Sequence, residues 1–368
     1  MTEVSSGAAN VCFQVMTDVF ADVLVGGRWP RLSSSLFWMS NLLILFGNIA
    51  KASQPMPTQH IIELCIVAKR HLSEQMLDTL FRLIAERFPT HRMAEHKSLA
   101  ALWRVFFYLL RPRHPFIMRT AHYRLFAHPR KGTLTYAVIR RGHWEPTETL
   151  HFLDLLKPGA LVIDAGANFG HYALTAANVV GREGLVIAFE PHPETFSLLD
   201  ENRKLLPWNN LRAVQAGLGS EDATLAIHTD TANPGGHSFY AWNLRDTDCS
   251  SNWVKVYALD SYLAEHIHGR AVNVIKIDVQ GFEMEVLRGA TRTIERDRPA
   301  IFCEITPDAL QRAGSGLDEI LGFFRSRGYR GEIVSNDSGK TKPLDYSELS
   351  EFFSRSGAEY HDVLFRPP

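Results

Sequence analysis

Beyond about residue 145, short apolar runs alternate with stretches of helical composition. The runs are ALVIDAG (160–166), GLVIAFEP (184–191), LRAVQAG (211–217), VNVIKIDV (272–279) and AIFCEI (300–305). Each run is continuous rather than alternating in polarity, which is typical of parallel strands buried on both faces of a sheet. Strands and helices in alternation predict a doubly wound α/β sheet, whose ligands bind at the carboxyl ends of the strands.

The first run leads into a turn that combines an acid, two glycines and an amide. Asp164 ends the run, Gly166 and Gly170 follow, and Asn168 lies between the glycines. The glycines allow the backbone to approach a ligand closely. A dinucleotide site would need G-x-G-x-x-G, and its pyrophosphate would be repelled by Asp164. The ammonium and sulfonium groups of S-adenosylmethionine would instead be attracted.

The second run ends in another acid, Glu190, about 20 residues beyond the glycine turn. A carboxylate at this point can accept hydrogen bonds from both hydroxyls of a ribose. NAD and S-adenosylmethionine share that ribose, so Glu190 indicates an adenosine ligand without choosing between them. Asp164 and the missing third glycine favour S-adenosylmethionine.

Four segments in order resemble the FkbM-type S-adenosylmethionine-dependent methyltransferases: VIDAGANFGHYAL, AFEPHPETFSLLDEN, VYALDSYL and VIKIDVQGFEMEVLRGA. The resemblance runs from about Gly142 to Phe365. It implies an α/β fold of the class I methyltransferase (Rossmann-like) type, with a seven-stranded sheet and an antiparallel last strand. It also implies methyl transfer to oxygen, commonly a hydroxyl of a sugar, polyketide or similar metabolite.

Carried over by position, the resemblance assigns a set of cofactor residues. Glu190 would hold the ribose, and Asp222 would lie near the adenine. The fourth-strand motif maps onto Lys276, Asp278, Gly281 and Glu283, but the family usually has glutamate where this chain has Gln280. A base or metal ligand at that position would be lost here. The first cofactor loop would consist of Asp164, Gly166, Asn168 and Gly170.

Methyl transfer to a hydroxyl requires a base within hydrogen-bond reach of the acceptor. Asp278 and Glu304 end the fourth and fifth predicted strands, and His237 lies in a glycine-bearing loop. Asp278 has alternative roles, as an acceptor of backbone N–H bonds or, with Glu304, as a ligand of Mg²⁺, which is not expected here. His171 is a weaker candidate that we expect to pack or to cap its helix. We predict no resident metal.

The first 110 residues are predicted to be helical and are not covered by the resemblance. Residues 60–88 place apolar side chains at three- and four-residue steps, as in an amphipathic helix. Residues 36–50 are the most apolar segment but are shorter than the roughly 20 residues of a membrane span. A buried or dimer-forming helix is favoured there over membrane-surface contact or a span. We therefore predict a helical cap or a dimerisation region, with homodimerisation as one outcome.

Residues 111–145 form a basic stretch that leads into the predicted catalytic domain at 146–368. No acid occurs between Arg111 and Trp144, and aromatic residues are interleaved with eight arginines and lysines. The segment RLFAHPRKGTLTYAVIRRG predicts a β-hairpin with Gly132 in its turn. A solvated face is one interpretation, and an anionic acceptor or membrane surface is the other. Nucleic acid ranks low, because no RNA-binding signature is visible.

Composition narrows the function classes further. The net charge of −1 argues against a chain built as a whole to bind polyanions. Four scattered cysteines and the absence of a signal-peptide pattern predict a cytoplasmic protein. The preferred prediction is an O-methyltransferase acting on a sugar, glycolipid or secondary metabolite. The alternatives are an NAD-dependent oxidoreductase or epimerase and a non-catalytic scaffold, and the sequence does not name the acceptor.

Overall fold

The structure is a computed structural model that describes most of the chain beyond residue 113. The predicted N-terminal helices, including 36–50 and 60–88, lie outside the described residues, as does His237. The described residues divide into two compact units between Trp144 and Glu145. Among them, no helix has both the length and the apolar character needed to cross a membrane. The described ranges are 114–128, 134–141, 144–228, 238–239, 251–335, 340–356 and 360–368.

The first unit contains a hairpin and a helix, which corrects the predicted hairpin. Strands β1 (Phe116–Arg119) and β2 (Arg124–Ala127) pair antiparallel, and the chain continues into helix α1 (Leu134–Arg141). Thr135, Val138 and Ile139 are buried, at the i, i+3 and i+4 positions of one helix face. Adjacent buried residues do not fit the alternation of a half-buried strand. The predicted turn residue Gly132 lies outside the described residues.

The second unit contains nine helices and eleven strands among its described residues. The helices are α2 (Pro146–Leu153), α3 (His171–Val180), α4 (Pro193–Arg203), α5 (Leu259–His266), α6 (Glu283–Gly289), α7 (Thr291–Asp297), α8 (Pro307–Arg312), α9 (Leu317–Ser326) and α10 (Tyr346–Ser356). The strands are β3 (Leu161–Ala165), β4 (Leu185–Phe189), β5 (Leu211–Val214), β6 (Gly217–Gly219), β7 (Ala223–His228), β8 (Ser251–Ala258), β9 (Val274–Ile277), β10 (Ala300–Ile305), β11 (Arg330–Ser335), β12 (Lys340–Leu344) and β13 (His361–Arg366).

The central sheet has the strand order β12-β11-β13-β10-β9-β3-β4-β5. The five strands from β10 to β5 are parallel, and every residue of β3 and β9 is buried. Strand β13 runs antiparallel to β10, as expected for the last strand. The predicted α/β fold class is confirmed. Because the order reverses between β3 and β9, the carboxyl ends of these strands form the ligand-binding edge.

The predicted count of seven strands is wrong for the described residues, since the central sheet has eight. The additional strand is β12, an edge strand that pairs only with β11 in this sheet. Its sequence KTKPL carries two lysines and Pro343, which are features of edge strands rather than of buried ones. A search for apolar runs therefore misses it.

The predicted strand at 211–217 is divided between two sheets. Strand β5 ends at Val214, and Gly217 opens β6, which pairs with β8 in a three-stranded sheet of order β6-β8-β7. The Ala216 N–H donates to the carbonyl of Val214 at 2.9 Å, which turns the chain between the two strands. This small sheet brings Gly217 and Leu218 beside the ligand-binding edge.

Candidate active site

The ionisable side chains at the carboxyl ends of the central strands share one face of the sheet. Lys276 on β9 is aligned with Asp164 on β3 and with Phe302 on β10. Residues two positions apart along a strand point to the same face. Asp278 and Glu304 therefore lie on the same face of the sheet as Lys276 and Phe302. Helices α2 and α3 lie on this side of the sheet. The predicted acids meet here because of strand register.

The loop after β3 is pressed against the end of β9. Gly166 has a φ of 79°, and a Cβ added there would lie 1.8 Å from the backbone oxygen of Asp278. Asn168 also adopts a left-handed φ of 54°, and its Oδ1 accepts the Phe169 N–H at 2.7 Å. The N–H groups of Gly166 and Ala167 donate to the Phe189 carbonyl at 3.0 and 2.9 Å. Only glycine fits at residue 166.

We expect Gly166→Ala to displace this loop and to lower both stability and affinity for the ligand of the loop. The added methyl group meets a backbone oxygen that cannot move without breaking the sheet. Gly159→Ala is the matched control, because Gly159 has a similar φ of 80° but nothing within 4 Å of an added Cβ. Thermal unfolding should show that Gly166→Ala lowers the free energy of unfolding by more than the roughly 1–2 kcal/mol that alanine costs in a left-handed conformation. Equal losses in the two variants would contradict the close-packing explanation.

Glu190 follows β4 and is held by two backbone donors. The Asn168 N–H donates to Oε2 and the His192 N–H to Oε1, both at 2.9 Å. Burial raises the pKa of Glu190 to about 7, although both hydrogen bonds oppose that shift. Each carboxylate oxygen retains lone-pair capacity beyond its backbone bond. Glu190 can therefore accept two further hydrogen bonds from a ligand.

Asp164 is fully buried at the end of β3. The Ala173 N–H lies near it, but neither carboxylate oxygen makes a hydrogen bond within the described residues. Burial raises the pKa of Asp164 to about 6, while the positive charge of Lys276 opposes the shift. Buried carboxylates normally have hydrogen-bond partners. An unsatisfied buried acid beside the ligand-binding edge fits a site for a cationic group.

A pocket opens above these elements. It brings the first loop, Glu190, the small sheet and the end of β9 together around one cavity. Phe239 packs against Phe282, with ring centroids 4.9 Å apart, and contributes an apolar wall. The arrangement suits a ligand with one polar and one aromatic end. Its lining includes Gly166, Asn168, Glu190, Leu218, Phe239 and Asp278.

Two donors hold the carboxylate of Asp278. Lys276 Nζ lies 2.9 Å from Oδ2, and Gln280 Nε2 donates to Oδ1 at 2.9 Å. Burial lowers the pKa of Lys276, but nearby carboxylates, above all that of Asp278, raise it above its ordinary value. Lys276 is therefore charged at neutral pH. Glu304, the other predicted acid, accepts a hydrogen bond from Gln280 at 2.9 Å.

Sequence reasoning missed Glu145 and Tyr172, which adjoin this cluster. The Tyr172 hydroxyl donates to Oε2 of Glu145 at 2.8 Å, and Lys276 Nζ lies 4.7 Å from the centre of the Tyr172 ring. Burial, and then the charge of Asp278, raises the pKa of Glu145 to about 7. Glu145 has a left-handed φ of 41° immediately before Pro146. The acid and the proline indicate a helix start, but not a side chain that reaches Tyr172.

The remaining predicted residues have other surroundings. Asp222 accepts the N–H of Ala258 through Oδ1 at 2.8 Å, and its place near an adenine stays a prediction. His171 is buried, with Nε2 2.7 Å from the hydroxyl of Thr149, so it packs beneath α2. Gly170 has a φ of 101° and directly precedes helix α3. The structure describes Ser238 and Phe239 but not His237, whose role as a base also stays a prediction.

Residues 164–330 match the family model described as "Methyltransferase FkbM domain". These residues are therefore similar to FkbM methyltransferase domains. The matched range begins at the buried acid of β3 and ends at the start of β11. It contains the first loop, Glu190 and the Asp278 cluster. The resemblance inferred from the sequence is confirmed.

Two curated relatives carry matching segments. "Methyltransferase 1" of Beauveria bassiana is 33% identical over 145 residues, which cover 35% of this chain and 58% of that protein. "Hexuronic acid methyltransferase AglP" of Haloferax volcanii is 32% identical over 133 residues, which cover 36% of this chain and 50% of that protein. The chain thus spans between half and three fifths of the lengths of these two relatives.

Among solved structures, the chain is similar to methyltransferase FkbM from Methylobacillus flagellatus. The two are 14% identical, with a TM-score of 0.35, and the similarity covers 78% of this chain and 60% of that chain.

Proposed function

We propose that the protein transfers a methyl group from S-adenosylmethionine to a hydroxyl oxygen of a saccharide or similar polyhydroxylated acceptor. The observation that carries the proposal is the pocket in which Glu190, the Gly166 loop and the Asp278 carboxylate meet. One end of the pocket offers the Glu190 oxygens as hydrogen-bond acceptors for a ribose, and the other end offers the fixed carboxylate of Asp278. The FkbM domain match supports the reaction class.

The residues present fit S-adenosylmethionine. Glu190 would accept its ribose hydroxyls, and the bare backbone of Gly166 would leave room for it. Asp164, whose buried oxygens lack hydrogen bonds within the described residues, would provide an attractive charge for its ammonium and sulfonium groups. When bound, S-adenosylmethionine supplies an electrophilic methyl group.

The chain's own residues would act chiefly by positioning and by proton transfer. An in-line displacement gains much of its rate from holding the acceptor oxygen in place. Asp278 would take the proton of that hydroxyl, with Lys276 balancing the carboxylate charge. The charge of Asp278 raises the pKa of both Glu304 and Glu145, and these two acids would help to bind acceptor hydroxyls.

The acceptor class rests on a relative's name and on the chemistry of the site. The relative from Haloferax volcanii is named for hexuronic acid, which is a saccharide. Carboxylates such as Asp278 and Glu304 are suitable acceptors for the hydroxyls of a sugar. A glycolipid or secondary metabolite that presents the same hydroxyls is included. The basic residues of 111–145 favour an acceptor with an anionic portion.

The test is transfer of a labelled methyl group. The protein is incubated with labelled S-adenosylmethionine and extracts of its source organism, and mass spectrometry identifies what gains a methyl group. Isothermal titration with NAD and with S-adenosylmethionine distinguishes the oxidoreductase alternative from the proposed methyltransferase. Tight binding of NAD alone would overturn the proposal, and cofactor binding without any methylated product would favour a non-catalytic scaffold.

The affinity for S-adenosylmethionine should depend on pH. Ribose hydroxyls donate to an ionised Glu190, whose pKa is raised to about 7 chiefly by burial and further by the charges of Asp164 and Asp278. Protonation therefore competes with binding, and affinity should fall below about pH 7, approaching tenfold per pH unit. Isothermal titration between about pH 6 and 8 checks this, with Glu190→Gln as a control whose weaker binding lacks the Glu190 titration.

A further inference from the structure

The side chain of Gln280 joins the ends of two neighbouring strands. Its Nε2 lies 2.9 Å from Oδ1 of Asp278 and 2.9 Å from Oε1 of Glu304. A side-chain amide nitrogen carries two N–H donors. One is directed to each carboxyl group, so a single neutral group satisfies two acids that would otherwise repel each other.

The backbone at Gln280 is held in an uncommon conformation that supports this bridge. Its φ is 52°, in the left-handed region that few residues other than glycine adopt. Ser238 donates to its carbonyl at 3.2 Å, and the next N–H, of Gly281, donates to Oε1 of Glu283 at 3.0 Å. Such a conformation costs energy and persists where its surroundings enforce it. The amide is therefore fixed between the two strands.

The ionisable groups around the bridge disfavour a second negative charge at Glu304, which the bridging amide nitrogen contacts. Burial, and then the charges of Asp278 and Asp362, raises the pKa of Glu304 well above its ordinary value. Asp362 lies directly opposite Glu304 in the antiparallel pair β10–β13. Lys276 is the cation already engaged by Asp278. The ionisable groups that interact electrostatically with Asp278 or Glu304 are Glu145, Asp164, Glu190, Lys276, Glu283, Cys303, Tyr360 and Asp362.

We propose that Gln280 is a positioning residue, whose amide nitrogen takes the place between Asp278 and Glu304 that a divalent cation would otherwise fill. The inference rests on the proposed function, because the carboxylate that Gln280 fixes is the proposed base. Lys276 holds one oxygen of Asp278 and Gln280 holds the other. The carboxylate is thereby oriented toward the pocket without a metal.

Replacement of Gln280 by glutamate tests the bridge without any acceptor. Gln280→Glu removes both donors and adds a third carboxyl group, whose pKa would be raised in the folded protein. Its destabilising effect is small near about pH 5 and grows as the pH rises above the ordinary glutamate pKa. We expect melting temperatures close to those of wild type near pH 5, and about 5 °C or more lower near pH 8. MnCl₂ should restore much of the loss near pH 8, because three carboxylates can coordinate the cation.

Two further variants complete the experiment. Gln311→Glu changes the same side chain at an exposed position on α8 and should melt like wild type. Gln280→Met removes the donors without adding charge, and should lower kcat about tenfold while leaving the KM for S-adenosylmethionine unchanged. A Gln280→Glu protein that melts like wild type near pH 8 would overturn the bridge. Wild-type protein stabilised by MnCl₂, with the effect lost in Asp278→Asn, would also overturn it.

The experiments distinguish a failure of the Gln280 bridge from a failure of the proposed function. The melting experiments use the whole chain and need no methyl transfer. Wild-type protein that shows the expected melting pattern but transfers no labelled methyl group would contradict the proposed function and leave the bridge intact. Methyl transfer that is abolished by EDTA in wild-type protein would contradict the bridge and leave the proposed function intact.

Discussion

Glu190→Ala is expected to lower the affinity for S-adenosylmethionine by about 10² to 10⁴-fold while the fold is retained. Its carboxylate would accept two charge-assisted hydrogen bonds from ribose, worth about 1.5–3 kcal/mol each. The Asn168 and His192 N–H groups would lose their acceptor as well, which loosens the first loop. Isothermal titration measures the affinity, and circular dichroism checks the fold.

Glu194→Ala is the control for this substitution. Glu194 is an exposed acid in the first turn of α4, four residues from Glu190. Glu194→Ala changes the net charge by the same amount as Glu190→Ala. It should leave the affinity for S-adenosylmethionine within about twofold of the wild-type value. Unchanged affinity in Glu190→Ala would reject Glu190 as the ribose acceptor and, with it, the proposed orientation of the cofactor.

Asp278→Asn is expected to lower turnover by about 10²-fold or more, the usual scale for a general base, with little change in cofactor affinity. Asparagine keeps the shape of the side chain but cannot take a proton from the acceptor. The measurement uses the acceptor identified by methyl labelling. Asp308→Asn is the matched control, since Asp308 is an exposed acid just after β10.

Loss of Asp278 also leaves the buried Lys276 without its charge partner, which alone can destabilise the fold. The double variant Asp278→Asn with Lys276→Met removes both charges and separates folding from catalysis. It should recover stability but not turnover. Full turnover in Asp278→Asn together with loss of activity in His237→Ala would make His237 the base. Activity that disappears with EDTA and in Glu304→Gln would instead indicate a metal.

The parts of the site that are local in the chain could be predicted from the sequence. Asp164, Gly166 and Asn168 belong to one strand, turn and helix, and Glu190 ends the next strand. Their residue types suit the proposed ligand and the close approach of the backbone. Asp278 and Glu304 could be predicted to meet, because parallel strands present their carboxyl ends at one edge.

The parts that depend on long-range packing could not. Glu145 reaches the cluster only because Tyr172 and Lys276 lie beneath it, on elements distant in sequence. Asp362 faces Glu304 through an antiparallel register that no local pattern encodes. The segment after residue 132 misled the prediction, because its threonine, tyrosine and valine suit strands, whereas its burial follows a helical period. Propensity is weaker than packing in such a segment.

The contact between Gly166 and the carbonyl of Asp278 limits how this protein could be redesigned. Because there is no room at Gly166 for even one added methyl group, the first loop and the backbone at Asp278 cannot shift independently of each other. A substitution chosen to admit a new acceptor beside Asp278 would also disturb the cofactor if it shifted that backbone. Engineering of acceptor range is therefore better begun at Tyr360, which is exposed and immediately precedes β13, three strands away from β3 in the central sheet.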